Sequence, residues 1–89
     1  MINKSKPVAL VTGVTGQDGA YLADLLLRRG YDVYGGFRRG ATNKIWRLDY
    51  LGITKNVKLL EFQLNEPLNL TDILQKIQPD EIYHLAGES

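Results

Sequence analysis

Short apolar runs and helically spaced apolar stripes alternate along this chain. Val8-Ala9-Leu10-Val11, ending in Thr12, is apolar at successive positions, as a strand buried on both faces is. Over residues 17–29, Tyr21, Leu22, Leu25 and Leu26 recur at i, i+1, i+4 and i+5, which predicts a helix with these four on one face and Leu27 on its flank. Arg28 and Arg29 suit the negative end of its dipole, and Gly30 suits the turn just past it. Residues 32–37 predict a second strand. Ile45, Leu48 and Leu51, at i, i+3 and i+6, predict a short helix over 44–51 that Gly52 ends. Residues 57–62 predict a third strand of ambiguous period. A third helix is expected over 70–77, with Asn69 or Thr71 as its cap and Pro79 just beyond it, and a fourth strand over 81–86.

The order is therefore βαβαβαβ. Strands joined by helical crossovers form a parallel sheet with helices on its faces, and the expected fold class is α/β. In the doubly wound arrangement these would be strands in the order 3-2-1-4, the N-terminal half of an NAD(P)-binding Rossmann fold. Gly13 and Gly87 would then face each other at the switch point between strands 1 and 4. The first half of that fold would then be present and most of its second half missing.

Composition narrows the function classes. At 89 residues with 44% hydrophobic and 24% charged side chains, the chain suits one small globular unit. A net charge of +1 supplies no field for nucleic acid. No run approaches the roughly 18 apolar residues of a membrane helix, and the stretch after Pro7 is shorter than the about 7–15 residues of a signal peptide core. Cysteine is absent and His84 is the single histidine, so thiolate and histidine-cluster metal sites have no ligands. The expectation is a cytoplasmic protein with no nucleic-acid or membrane partner and no metal.

Thr12-Gly13-Val14-Thr15-Gly16-Gln17-Asp18-Gly19 carries the chemistry. A strand that runs through glycines into a helix presents unpaired N–H groups and the positive end of a dipole to an anion, with no Cβ in the way. The spacing is G-x-x-G-x-x-G, and the bland alternative is a tight turn that packs helix on strand. The second strand ends Gly36-Phe37-Arg38-Arg39 with no acid nearby. An acid there would accept both ribose hydroxyls of NAD, whereas arginines can bind the 2′-phosphate of NADP; solvated surface arginines are the alternative. Gln63-Leu64 follows the third strand, where Gln63 could meet both the amino group and N1 of an adenine or be a plain loop residue. Leu85-Ala86-Gly87 presents small residues where backbone and cofactor would approach, or Gly87 is a plain turn. His84 fits packing or a hydrogen bond beside the sheet better than catalysis. Trp46 and Tyr50 fit core or surface packing better than covering an adenine or meeting a partner. Glu66, Asp72, Asp80 and Glu81 have no spacing that suggests a carboxylate pair.

Together these residues resemble the extended short-chain dehydrogenase/reductases, with their Thr-Gly-x-x-Gly-x-x-Gly loop. Residues 12–22 resemble more narrowly the opening of the GDP-mannose 4,6-dehydratases. So do Arg38-Arg39 after the second strand, and Gln78-Pro79-Asp80-Glu81-Ile82-Tyr83 leading into Leu85-Ala86. The similarity runs from Val8 to Ser89. It implies that Gly13, Val14, Thr15, Gly16, Gln17, Asp18 and Gly19 hold the pyrophosphate of NADP, and that Arg38 and Arg39 hold its 2′-phosphate. Gly40 and Ala41 continue that loop, Gln63 and Leu64 meet the adenine, and Leu85, Ala86, Gly87, Glu88 and Ser89 meet the central ribose.

Gly40 and Ala41 stand where the family usually has serines, Gln63 where it has aspartate and Glu88 where it has glutamine. The implied reaction removes water from GDP-mannose to give GDP-4-keto-6-deoxymannose, with the hydride shuttled through bound NADP; a homo-oligomer is expected. The family's catalytic Tyr-x-x-x-Lys is not met. Leu25, Gly35, Arg38, Thr54 and Gly87 stand four residues after Tyr21, Tyr31, Tyr34, Tyr50 and Tyr83. The resemblance thus implies that residues 1–89 are a partial NADP-binding domain, without the C-terminal strands, the catalytic segment or a substrate domain; the parent is expected to be a lyase and the 89 residues alone inactive. A sugar-nucleotide reductase or epimerase of the same extended family, or a nucleotide-sensing module without catalytic residues, remain alternative readings.

Overall fold

The computed structural model of the chain describes residues 6–38, 45–62 and 67–85. Within them strands and helices alternate: β1 (Val8–Thr12), α1 (Gln17–Arg28), β2 (Asp32–Arg38), α2 (Trp46–Leu51), a 3₁₀ turn at Thr54–Asn56, β3 (Val57–Phe62), α3 (Pro67–Ile77) and β4 (Glu81–His84). All four strands are parallel, in the order β3-β2-β1-β4. Val8 to Thr12 run opposite Asp32 to Gly36 on one side, and Ala9 to Thr12 run opposite Glu81 to His84 on the other. β1 is the central strand, buried at every position, as its unbroken apolar run predicts.

The sheet order, the third strand and the glycine stops at Gly30 and Gly52 follow the sequence pattern. Several boundaries move. β2 reaches Arg38, one residue further than its apolar pattern. α3 begins at Pro67, three residues before its apolar spacing does, because proline lacks only an N–H that the first helical turn leaves unpaired anyway. β4 ends at His84.

The buried face of α1 differs from the expected leucine stripe. Tyr21 and Leu25 are exposed, and the face that meets the sheet is Gly19, Ala20, Ala23 and Leu26, with Leu22 and Leu27 at its margins. Small residues let the helix axis come close to the sheet, so the contact is made where side chains are shortest. With Ala9, Val11, Val33 and Val57 from the strands, Leu48 of α2, and Val14 and Ile53, this face encloses the core.

At the end of the sheet where the strands begin, Glu81 joins β4 to the residue that precedes β2. Its two carboxylate oxygens accept from the hydroxyls of Tyr31 at 2.9 Å and Tyr83 at 2.5 Å. The adjacent Asp80 accepts from the Val8 N–H at 2.7 Å. These bonds tie β4 to the starts of β1 and β2, at the end opposite the glycine turn. Among the described residues no helix is long and apolar enough to cross a membrane, and no three His, Cys, Asp or Glu residues cluster as metal ligands.

Candidate phosphate-binding site

The glycine turn leaves the C-terminal end of β1 and is fastened to both neighbouring strands. Gly13 takes a positive φ of 76°, which reverses the chain directly after Thr12. The N–H groups of Gly13 and Val14 both donate to the Gly36 carbonyl in β2, at 2.9 and 3.2 Å. The Gly16 N–H folds back to the Gly13 carbonyl at 3.1 Å. Val14 is fully buried, so it serves the site as an anchor, with its side chain in the core. It lies over Gly35, where a Cβ would meet the Val14 and Val57 methyls at 2.8 Å.

Gly16 is the N-cap of α1, in an extended conformation, and no side chain caps the helix. The first-turn amides therefore have no intrahelical acceptor and look out from the C-terminal end of β1, with the dipole adding positive potential. Gln17 and Asp18 are exposed in that turn. Gly19 instead turns toward the sheet: a Cβ there would collide with the Gly13 carbonyl oxygen and stand 2.9 Å from Val14 Cα. Gly16 is different, since its Cβ would meet only the Gly13 oxygen, at 3.4 Å. The first glycine reverses the chain, the last admits the helix, and the middle one leaves the approach to the amides open.

On the other side of β1, Thr12 links the turn to β4. Its Oγ1 accepts from the Leu85 N–H at 3.1 Å and lies 2.9 Å from His84 Nδ1. The Leu85 N–H also reaches the Thr12 carbonyl at 3.1 Å. The same hydroxyl stands 3.5 Å from the Tyr83 carbonyl oxygen, to which it can donate, so Thr12 reaches three successive residues at the end of β4. His84 thus has the hydrogen-bonding role beside the sheet that its sequence context suggests. These bonds hold the start of the Leu85–Ser89 segment against the glycine turn.

The structure therefore brings Gly13 to Gly19 and Leu85 together at the switch point, with Arg38 exposed at the C-terminal end of β2, two residues beyond the Gly36 that fastens the turn. Arg39, Gly40, Ala41, Gln63, Leu64, Ala86, Gly87, Glu88 and Ser89 lie outside the described residues. Of the core or surface packing expected for Trp46 and Tyr50, the core is excluded: they are 57% and 82% exposed. With Gln17, Tyr21 and Arg47 they line an open pocket of about 290 Å³ between α1 and α2. Sequence reasoning missed the contacts of two residues. Thr12 reads as the end of an apolar strand, and Arg47 lies off the apolar stripe of its helix; neither spacing reveals a contact with the turn or with β4.

A parallel sheet whose order reverses beside a glycine turn and a helix N-terminus defines a nucleotide-binding fold of the Rossmann type. The sequence matches the family model described as GDP-mannose 4,6 dehydratase over residues 10–89, and the chain belongs to that family. It is 46% identical to a GDP-mannose 4,6-dehydratase of Vibrio cholerae, over 96% of this chain and 24% of that protein. It is 39% identical to the GDP-mannose 4,6 dehydratase of Homo sapiens, over 99% and 25%. The chain thus spans about a quarter of the length of these relatives. Among solved structures, the enzyme WbmH of Bordetella bronchiseptica in complex with NAD+ superposes with a TM-score of 0.75 at 28% identity, over 91% of this chain and 26% of that one.

Proposed function

We propose that these 89 residues form the opening half of the NADP-binding domain of a GDP-mannose 4,6-dehydratase, a lyase that converts GDP-mannose to GDP-4-keto-6-deoxymannose and water. The observation that carries the reading is the uncapped N-terminus of α1, aimed out of the switch point by Gly13, Gly16 and Gly19 in a chain of this family. Free amides, an open approach at Gly16 and a positive dipole fit the pyrophosphate of a dinucleotide.

In this reading the first-turn amides of α1 bind the pyrophosphate, with Gly13 and Val14 holding the turn to β2. Arg38, with Arg39, takes the 2′-phosphate through charge-assisted bonds, and Gly40 and Ala41 continue that loop. Gln63 and Leu64 meet the adenine. The segment from Leu85 through Ala86, Gly87, Glu88 and Ser89 meets the ribose, its first residue held by Thr12. That WbmH was solved with NAD+ supports a nicotinamide dinucleotide, and the choice of NADP rests on the arginines. When bound, such a cofactor accepts and returns a hydride, which makes a dehydration with internal oxidation and reduction possible without net consumption of cofactor. The chain's own part is to bind and orient it. Without a Tyr-x-x-x-Lys pair, the 89 residues alone turn over no sugar nucleotide.

The test is carried out on the full-length protein. NADP should bind more tightly than NAD, and GDP-mannose should be converted to its 4-keto-6-deoxy product. No affinity for either dinucleotide would overturn the site, and binding of NADP with no turnover of GDP-mannose would overturn the reaction.

A further inference from the structure

Arg47 reaches the glycine turn from α2, 32 positions further along the chain. Its Nη1 donates to the Thr15 carbonyl at 3.0 Å. Its guanidinium carbon lies 4.6 Å from the centre of the Trp46 ring. The ring face fixes the plane of the cation and leaves its N–H edge free to donate. No carboxylate among the described residues pairs with it.

The carbonyl that Arg47 holds belongs to the peptide between Thr15 and Gly16. The N–H of that same peptide donates to the Gly13 carbonyl at 3.1 Å. One peptide plane is therefore fixed at both ends, directly before the first helical residue of α1. Its rotation would swing Gly16 and with it the direction of the first-turn amides. A carbonyl turned toward the mouth of the site would also repel an anion. We infer that Arg47 is a positioning residue of the phosphate turn: it locks the Thr15–Gly16 peptide so that the amides of Gln17 and Asp18 are aimed before any anion arrives.

The identity of that anion rests on the cofactor reading above; the lock itself does not. Because the lock acts where the two dinucleotides are identical, its loss weakens NAD and NADP alike. Arg38 and Arg39, by contrast, act on the 2′-phosphate alone. Arg47→Lys keeps a donor for Thr15 without the planar stack on Trp46, so it should restore part of what Arg47→Ala loses.

The experiment has two readouts on the full-length protein. In titrations, Arg47→Ala should weaken both dinucleotides by roughly tenfold or more, the effect of losing a hydrogen bond to a charged group, with their ratio unchanged and Arg47→Lys in between. In the unliganded protein, hydrogen exchange at the Gly16 amide should speed up by about tenfold or more in Arg47→Ala, while Leu10 and Val33 in the sheet stay protected. If Arg47→Ala does not fold, Arg47→Lys and Trp46→Leu carry the same comparison. Unchanged exchange at Gly16, or a loss confined to NADP, would overturn the lock. A wild-type protein that binds neither dinucleotide would sink the cofactor reading, and exchange at Gly16 would still decide the role of Arg47.

Discussion

Gly19 lies so close against Gly13 that the first helix can enter the turn only without a side chain there: a Cβ on Gly19 would collide with the Gly13 carbonyl oxygen. In an exposed helix, Gly→Ala gains up to about 1 kcal/mol. Here the obstacle is backbone, and the sign reverses. Gly19→Ala should destabilise the fold by about 1–3 kcal/mol, the range of overpacked cores, and should abolish dinucleotide binding. Gly16→Ala, which meets an ordinary contact, should cost less than about 1 kcal/mol and lose affinity all the same. Denaturant unfolding and cofactor titration of the two variants separate these outcomes.

Cofactor choice should depend on the end of β2. In the full-length protein, replacing Arg38 and Arg39 together by alanine should weaken NADP at least about tenfold while NAD changes little. Equal losses for both cofactors in parallel titrations would show that these arginines do not read the 2′-phosphate.

The shared bond to Glu81 holds both the Tyr31 and Tyr83 hydroxyls above the ordinary tyrosine value of 10.0, with burial second and the glutamate's charge third. Both folded pKa values are raised, so the linked stability is fully present below pH 10 and declines as pH climbs through the raised values. Unfolding midpoints should therefore fall in alkali above the ordinary tyrosine range. In Glu81→Gln, phenolate absorbance should show part of the tyrosine titration moving down toward 10. An unchanged titration curve would remove Glu81 as the cause.

Thr12→Val keeps the shape of the side chain and removes its hydroxyl. Leu85 retains the Thr12 carbonyl as an acceptor, whereas His84 Nδ1 loses its hydroxyl partner. The expected cost is about 0.5–1.5 kcal/mol, with a change in the imidazole environment of His84. Nitrogen chemical shifts of the imidazole and a denaturant melt provide the check.

Among the described residues β4 has β1 on one side and no strand on the other, and Ile82 is exposed on it. An edge strand without proline or lysine is a template for pairing. The 89-residue chain by itself should self-associate or melt without a sharp transition. A monomeric, cooperatively unfolding chain at high concentration in sedimentation and thermal scans would contradict this.

What the sequence reveals here depends on how local each signal is. β1, β3 and the sheet order follow from apolar runs and crossover spacing, which neighbouring residues determine. The turn from Gly13 to Gly19 was legible because its glycines answer to local backbone geometry. The buried face of α1 was not. Tyr21 and Leu25 outweigh Ala20 and Ala23 in any count of apolar side chains, yet a helix drawn close to a sheet selects for smallness. The contacts of Arg47 and Thr12 were invisible for another reason: their partners at Thr15, His84 and Leu85 come within reach only after the crossovers close. Arg38 stands where the sequence placed it, whereas Arg39, Gln63 and Gly87 lie outside the described residues.

The paired bonds from Gly13 and Val14 to Gly36 bear on how fast an anion comes and goes. A turn ordered together with the sheet does not have to fold around its ligand, so capture proceeds at the rate of a productive encounter. Differences in affinity among variants that leave those bonds intact then fall on the dissociation rate, and residence time becomes the quantity to compare. Loosening either amide from Gly36 would add an ordering step before binding and slow association itself.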